Sequence, residues 1–233
     1  MTLAGILLDY QANLSPPEGF MRRLRLPHKE SVEVGLPPDL LEAVARALIT
    51  ALEQRDVLTA NHCRMVGELA GETALVLGLG PAEHHLVVQA GRLHDLGKIG
   101  IPDRILHNTN DLDARELAII RAHVENGEAI LGQLNCLSPE FAAITEQVGA
   151  HHERWNGRGY PRGLAGEAIP YGGRIIAVAD AYSALVMKRS YQEAMSHAEA
   201  MAQIAAGAGI HFDPTVVEAF NALDWDDRLN GGG

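Results

Sequence analysis

Apolar residues recur at helical spacing along most of the chain, and this pattern begins at Asp39. The first run follows Asp39, and a second run carries His62 among its apolar positions. Side chains three or four positions apart in such runs share one face of a helix, so each run predicts one buried face. In the second run the predicted buried face holds Leu58, His62, Met65, Val66 and Leu69. No run alternates with the period of two that is typical of strands. The pattern therefore predicts an all-α fold, a helical bundle.

Local signals mark where several helices begin. Asp113 is followed three residues later by Glu116, which is typical of a capping box. Proline is favoured at the first position of a helix. These signals predict further helix starts at Gly80-Pro81, Ser138-Pro139, Ser196 and Asp213-Pro214. We expect the first of these helices to run into His94-Asp95 and the second to reach His151-His152.

The two ends of the chain differ in composition from its middle. Residues 1–36 contain several prolines and a basic cluster, and we interpret them as a largely irregular N-terminal appendage. Residues 37–225 form the predicted helical domain, and the glycine-rich residues 226–233 are expected to be a frayed tail. The apolar stretch Leu3–Leu8 is short and has no basic leader, so it predicts neither a signal peptide nor a membrane span.

Charge and cysteine content narrow the choice of partners. The chain has 233 residues and a formal net charge of −11, which argues against a DNA-binding protein, since that would need a basic face. We therefore expect no DNA partner and no membrane partner. The two cysteines form no disulfide framework or zinc-binding spacing, and this favours a reduced, cytoplasmic setting.

Seven polar residues lie on helix faces that are otherwise apolar. A single histidine in such a place is ordinarily a satisfied core residue, and a single aspartate could pair with an arginine. Buried charges need partners, however, and a metal centre inside a helical bundle would be a partner for all seven. Five imidazoles and two carboxylates exceed what one ion takes and suit two bridged ions. The seven residues are His62, His94, Asp95, His123, His151, His152 and Asp180.

Lys98 lies four residues after His94. In a continuous helix the two residues would share a face, one turn apart. A lysine at this place would put a cation beside the metal centre, where it could hold a phosphate group.

The order of these residues resembles the HD-GYP family of the HD phosphohydrolase superfamily. The resemblance covers roughly residues 48–223 and rests on three segments, which match the family in order: Leu93-His94-Asp95-Leu96-Gly97-Lys98-Ile99-Gly100-Ile101-Pro102, His151-His152-Glu153-Arg154-Trp155-Asn156-Gly157-Arg158-Gly159-Tyr160-Pro161 and Ala177-Val178-Ala179-Asp180-Ala181-Tyr182. It implies a helical HD domain with a metal centre in its core. It also implies a cyclic-di-GMP phosphodiesterase of bacterial signalling that uses iron or manganese.

The resemblance assigns roles to individual residues. One ion would be held by His62, His94 and Asp180, and the second ion by His123, His151 and His152. Asp95 would bridge the two ions, and Lys98 would hold the scissile phosphate, so these two are the candidate catalytic residues. The other candidate contacts to the substrate are Arg158, Gly159, Tyr160, Pro161 and Arg189.

Three positions depart from the family pattern. Members with a third ion carry a glutamate one turn before the first histidine, and this chain has Leu58 there, so we expect two metal ions. Asn156 replaces an acid in the segment that precedes Gly159. Gln192 replaces a basic residue shortly after Arg189, which removes one phosphate contact and leaves the substrate affinity and a second hydrolytic step open.

The resemblance implies hydrolysis of cyclic-di-GMP to the linear dinucleotide pGpG by in-line attack of a metal-bridging hydroxide, and it leaves open whether pGpG is hydrolysed on to GMP. Three alternatives stay open: an HD hydrolase acting on another cyclic dinucleotide or nucleotide, a non-catalytic cyclic-dinucleotide sensor, and an interaction protein. The Gly-Tyr-Pro motif favours a cyclic dinucleotide. Retention of all seven metal-ligand candidates argues against the sensor. A homodimer, or contact with other signalling proteins, is a further expectation.

Overall fold

A computed structural model describes residues 40–108, 111–187, 194–223 and 225, and these residues form a bundle of α-helices. In chain order the helices are α1 (Leu40–Arg55), α2 (Val57–Val76), α3 (Pro81–Leu93), α4 (Asp103–Leu106), α5 (Ala114–Arg121), α6 (His123–Gly132), α7 (Pro139–Val148), α8 (Tyr171–Val186), α9 (His197–Ala206) and α10 (Pro214–Asn221). Short 3₁₀ turns lie at Leu96–Gly100 and Gly166–Ala168. Among the described residues there is no β-strand, only the isolated bridges Asn156–Ala165 and Ala208–Phe212. The predicted all-α fold is confirmed.

Helix α2 lies at the centre of the bundle, where it packs against α3 and α8 as well as α1 and α10. Val66 and Leu69 on its inner face are fully buried, as are Ile175 and Ile176 of α8. Burying an aliphatic side chain of this size contributes about 1.5–3 kcal/mol, so these contacts hold the helices together. Polar side chains on the same inner faces therefore meet inside the bundle.

The predicted helix starts agree with the structure wherever they can be compared. Asp113 accepts hydrogen bonds from the backbone amides of Arg115 and Glu116, and the Glu116 carboxylate accepts one from the Asp113 amide. Ser196 and Glu199 form the same reciprocal box at α9. Prolines occupy the first position of three helices, as predicted, at Pro81, Pro139 and Pro214. Local capping chemistry is thus enough to locate these starts.

The predicted helix ends are wrong at both metal-ligand pairs. Helix α3 ends at Leu93 and α7 ends at Val148, so His94-Asp95 and His151-His152 lie in the turns that follow these helices. Helices α5 and α6 are separated only by Ala122, whose backbone keeps the right-handed helical conformation. The site residues therefore lie mainly at helix ends, where the backbone turns and neighbouring side chains can converge on one point.

Leu58 does not lie on the buried face of α2, and this prediction was wrong. Its side chain is 59% exposed, whereas His62, one turn later, is 4% exposed. Helix α2 begins at Val57, with Asp56 as its cap. Leu58 thus lies in the first turn of α2, where the helix projects beyond the packed core. The apolar spacing therefore starts earlier in the chain than the buried part of the helix does.

Some predicted features lie outside the described part of the chain. These are the appendage 1–36, the helix cap Asp39, the tail 226–233, and the positions of Arg189 and Gln192. The domain boundaries thus stay predictions. In the part of the chain that the structure describes, no helix combines the length and the apolar character needed to cross a membrane.

Candidate metal centre

The first cluster joins three helices of the bundle. His62 projects from α2, His94 follows the last residue of α3, and Asp180 lies in α8. His62 Nε2 lies 3.0 Å from Asp180 Oδ1, and His94 Nε2 lies 3.7 Å from the same oxygen. One ligand atom from each residue falls within 4.8 Å of the other two. These three side chains could hold one metal ion.

The second cluster consists entirely of imidazoles. His123 begins α6, and His151 and His152 lie in the turn after α7. His123 Nε2 and His151 Nε2 are 3.3 Å apart, and ligand atoms of all three residues lie within 4.8 Å of one another. This cluster could hold a second ion.

Asp95 lies between the two clusters, and its two oxygens face opposite ways. Its Oδ2 atom is 3.4 Å from His94 Nε2 and 3.7 Å from His62 Nε2, while Oδ1 is 3.4 Å from His123 Nε2. The side chain is 3% exposed. A carboxylate so placed can give one oxygen to each of two neighbouring ions.

Hydrogen bonds at Nδ1 orient four of the histidines. His94, His123 and His151 each place Nδ1 against the backbone carbonyl three residues earlier, at 2.8, 2.7 and 2.5 Å. His62 Nδ1 lies 2.8 Å from Ser183 Oγ. Because Nδ1 is held in this way, Nε2 is left to face the cluster, as in proteins that bind metal through imidazole. Ser183 was not among the residues predicted from the sequence, although it lies one turn after Asp180.

One buried atom indicates that these residues fit a metal ion. His94 Nε2 is inaccessible to solvent and has no hydrogen-bond partner among the described residues. Buried polar nitrogens are nearly always paired, so an orphan that points at two carboxylates needs an explanation. Imidazole nitrogens and carboxylate oxygens together are a donor set that suits divalent transition metals. The clusters thus suit the binding of divalent metal ions.

Burial keeps the imidazoles of the second cluster neutral. It lowers the pKa of His152 to about 4, and it lowers the pKa of His123 as well. Burial together with the neighbouring His152 puts the pKa of His151 well below its usual value. A metal binds the neutral imidazole, so no proton has to leave these rings at neutral pH.

The carboxylates between and beside the clusters are ionised. Burial raises the pKa of Asp95, but Lys98 and His94 outweigh it and bring that pKa well below its ordinary value. The pKa of Asp180 is likewise well below its usual range, because the hydrogen bond from His62 and the charge of His94 outweigh burial. For His94, burial lowers the pKa, and Asp95 followed by Cys63 raises it to a net value well above normal. In the metal-free site His94 is thus a cation that pairs with the two carboxylates, and a metal ion would take the place of its proton.

The turn Leu96–Gly100 packs directly against the start of α6 at Gly97. A Cβ atom at Gly97 would overlap the carbonyl oxygen of His123 and would lie 2.5 Å from the Gly127 amide nitrogen. Glycine permits this approach because it has no Cβ. The contact places Asp95 next to His123 and so sets the spacing of the two clusters.

Lys98 forms an ion pair with Asp95 rather than sharing a helix face with His94. Its Nζ atom lies 2.5 Å from Asp95 Oδ2, three residues away across the 3₁₀ turn. The shared helix face was predicted on the condition that the segment was helical, and α3 ends too early for that. Burial lowers the pKa of Lys98, but Asp95 raises it to a net value above normal, so the side chain is a cation.

The predicted Gly159-Tyr160-Pro161 loop lies against the second cluster. The Tyr160 ring stacks on His152, with centroids 4.8 Å apart and planes 26° apart. The guanidinium of Arg121, a residue that the sequence analysis did not single out, lies 5.0 Å from the Tyr160 ring centre. The loop thus connects the cluster to the surface of α5.

The buried Glu153 side chain holds this loop in place through hydrogen bonds to its backbone. It is 3% exposed, and its two oxygens accept hydrogen bonds from the backbone amides of Arg162 at 2.7 Å and Leu164 at 3.0 Å. A Cβ on Gly159 would overlap the Arg154 backbone nitrogen. Glycine is therefore needed at position 159, where the loop packs against the backbone of Arg154. Glu153 holds the part of the loop that follows, through the amides of Arg162 and Leu164.

The other predicted contacts to the substrate are less tightly placed. Arg158 is exposed, and its side chain makes no hydrogen bond or ion pair within the described residues. Asn156, in place of the family's acid, accepts a hydrogen bond from the Arg158 amide at 3.0 Å and so shapes the turn. Cys63, also missed from sequence, has a ligand atom within 4.8 Å of those of His94 and Asp95.

The chain is similar to known proteins over most of its length. The sequence pattern of a family described as "HD domain" matches residues 46–216. The 3′3′-cGAMP-specific phosphodiesterase 2 of Vibrio cholerae is 39% identical over 183 residues, which cover 78% of this chain and 34% of that protein. The cyclic di-GMP phosphodiesterase of Thermotoga maritima is 40% identical over 186 residues, which cover 80% of this chain and 50% of that protein.

The same likeness extends to solved structures. A crystal structure of a cyclic GMP-AMP specific phosphodiesterase of V. cholerae matches with a TM-score of 0.59 at 22% identity, over 82% of this chain and 50% of that one. This match concerns the fold alone. The chain spans about a third to a half of the length of the curated relatives named above. Together the comparisons confirm the resemblance predicted from the motifs.

Proposed function

This chain belongs to the HD domain family, and from that premise we propose that it is a metal-dependent phosphodiesterase that hydrolyses cyclic-di-GMP. Curated relatives named as cyclic di-GMP phosphodiesterases, one from V. cholerae and one from T. maritima, support the substrate class. Since those relatives are longer than this chain, the activity carried over to it rests on its own site.

The observation that carries the proposal is the position of Asp95 between two ligand clusters, with one oxygen facing each. We assign His62, His94 and Asp180 to one ion, and His123, His151 and His152 to the other, with Asp95 between them. Iron or manganese is the proposed metal, as the resemblance implies, and mixed imidazole and carboxylate ligands are compatible with either. Two such ions, when bound, would supply Lewis-acid stabilisation of the phosphate and a water of lowered pKa.

The exposure of the side chains indicates where a substrate can approach. His94, Asp95 and the other innermost groups are almost completely buried, whereas the side chains of Asp180 and Lys98 are 17% and 19% exposed. A phosphate would therefore reach the centre from the side of Lys98. The ammonium group of Lys98 would donate a hydrogen bond to a non-bridging phosphate oxygen and balance charge that develops there.

Local charge can attract a dianionic substrate to an acidic protein. The chain carries a net charge of −11, but Lys98 and Arg121 both lie around the centre. Charges inside a cleft act on a ligand more strongly than distant surface charges, which salt screens. The overall acidity is therefore compatible with binding a cyclic dinucleotide.

Product analysis tests the proposed function. We expect anaerobically purified protein that contains iron or manganese to convert cyclic-di-GMP into pGpG. Chromatography of timed samples measures this conversion and also shows whether GMP follows. Protein stripped by a chelator should be inactive and should recover when the metal is restored. A metal-loaded protein that binds cyclic-di-GMP without converting it would instead support a sensor. Conversion of 3′3′-cGAMP alone would support the alternative substrate, which the name of one relative suggests.

The metal count is a separate prediction. We expect two ions per chain, because Leu58 stands where a third ion would require a carboxylate. Elemental analysis of the protein should give a ratio near two, and Leu58→Glu should raise it, since the position lies one turn before His62. The exposure of Leu58 makes this substitution easy to accommodate. A wild-type ratio of three would contradict the assignment.

A further inference from the structure

A cavity of about 390 Å³ lies beside the metal centre, against the surface of α5. Its floor is made of short apolar side chains at positions one turn apart, with Leu117 next to them. The Tyr160-Pro161 loop forms one wall. The floor residues are Ala114, Ala118 and Ala122. A flat apolar surface of this kind suits a planar ring system.

Two charged side chains border the floor, and neither is paired with an opposite charge among the described residues. Arg121 and Glu125 are four residues apart on the nearly continuous α5–α6 segment, so their side chains are neighbours. Both are exposed. Within the described residues, neither makes a side-chain hydrogen bond or an ion pair, although the guanidinium carbon of Arg121 lies over the Tyr160 ring, 5.0 Å from its centre. A donor group and an acceptor group therefore stand side by side at the edge of the cavity.

The cavity adjoins the candidate metal centre through one shared side chain. Tyr160 lines it, and the ring of Tyr160 also stacks on the candidate metal ligand His152, with centroids 4.8 Å apart. A phosphate at the metal centre would thus hold its attached nucleoside close to the cavity. The wall that the two sites share makes the cavity a place for the base of the same substrate.

We propose that this cavity binds a guanine base of the cyclic dinucleotide, with Glu125 and Arg121 as the residues that select it. The Glu125 carboxylate would accept hydrogen bonds from guanine N1–H and the N2 amino group, because an ionised carboxylate only accepts. Arg121 would donate to guanine O6 and N7, the pairing that arginine makes with guanine in other complexes. This inference rests on the proposed function, since it assumes that the dinucleotide is bound at the metal centre.

Adenine has the wrong pattern for these two side chains. It presents an amino donor where guanine has the O6 acceptor, and an acceptor at N1 where guanine has a donor. Adenine would thus place a donor against Arg121 and a lone pair against the Glu125 carboxylate. Cyclic-di-GMP and 3′3′-cGAMP each offer a guanine to the cavity, whereas cyclic-di-AMP offers none. The first two should therefore be better substrates than the third.

The test compares the metal-loaded wild-type protein with Glu125→Gln, which keeps the size of the side chain but adds a donor. We expect wild-type kcat/KM for the two guanine-containing substrates to exceed that for cyclic-di-AMP by at least about 10-fold. Glu125→Gln should lower kcat/KM for them by about 10- to 100-fold, the range for losing a paired base contact, and should narrow the gap to cyclic-di-AMP. The matched control is Glu146→Gln, an exposed glutamate on α7 away from the cavity, which should behave like wild type.

Binding of GMP and AMP, measured by calorimetry on the same proteins, separates the two proposals. If dinucleotides are hydrolysed but Glu125→Gln keeps the wild-type preference, the cavity assignment is wrong and the proposed function stands. If no dinucleotide is hydrolysed but GMP binds more tightly than AMP, and this preference is lost in Glu125→Gln, the proposed phosphodiesterase activity is wrong and the guanine site stands. If neither binding nor hydrolysis is found, both proposals are overturned.

Discussion

Asp95→Ala is expected to abolish metal binding by both clusters together with hydrolysis of cyclic-di-GMP. Asp95 is the group that faces both clusters, with Oδ2 toward His94 and Oδ1 toward His123. Without it, each cluster loses a ligand, and the negative charge between them falls. Because bound metal supplies several kcal/mol of transition-state stabilisation, turnover should fall by at least about 10³-fold. Elemental analysis and product chromatography on one preparation measure both effects.

Asp180→Ala is the matched control for this substitution. Asp180 belongs to the first cluster alone. Its removal should therefore weaken the binding of one ion and leave the second cluster, His123, His151 and His152, unchanged. A thermal melt of each metal-free variant separates loss of metal from loss of fold. If Asp95→Ala retained two ions and normal turnover, Asp95 would not be the bridge.

The helix starts could be predicted because their causes are local. Asp113 and Ser196 cap helices through atoms only two or three residues away, and those patterns are visible in the sequence. The helix ends depend on packing between distant segments. The chain turns after Leu93 and enters a 3₁₀ turn, in which Gly97 packs against His123 of another helix, a contact that periodicity cannot reveal.

The seven candidate metal ligands could be predicted because polar residues on apolar faces are conspicuous and because their order resembles a known family. The structure brings all seven together, although their roles stay predictions. Leu58 shows the limit of the pattern, since an apolar residue at the right spacing lies outside the core when the helix extends beyond it.

The supporting residues could not be predicted in the same way. Ser183 acts through a single hydrogen bond to His62, and Glu153 acts through two backbone amides that the loop returns to it. Arg121 and Glu125 look like ordinary surface charges on a helix until Tyr160 is seen beside them. Their neighbours come from segments distant in sequence, so only the folded chain reveals the arrangement.

Two physical roles for Lys98 lead to different results on substitution. As a lysine near the end of a helix it would contribute only about 0.3–1 kcal/mol through the helix dipole. The structure gives little support to that role, because Lys98 lies in a short 3₁₀ turn and its ammonium pairs with Asp95 at 2.5 Å. As a phosphate contact it would act mainly in the transition state. As a support for Asp95 alone it would act on metal binding.

Lys98→Ala is expected to keep the metal content and the fold but to lower turnover of cyclic-di-GMP by about 10²-fold or more, the range for removing one donor to developing negative charge. The metal should remain because Asp95 would still contact the ions on either side of it after the ion pair with Lys98 is lost. Lys98→Met, which keeps the apolar stem, should show the same loss, since the charge and not the packing is responsible. Unchanged turnover would support the dipole role, whereas a parallel loss of metal and turnover would make Lys98 a support for Asp95. Steady-state kinetics together with elemental analysis distinguish the three cases.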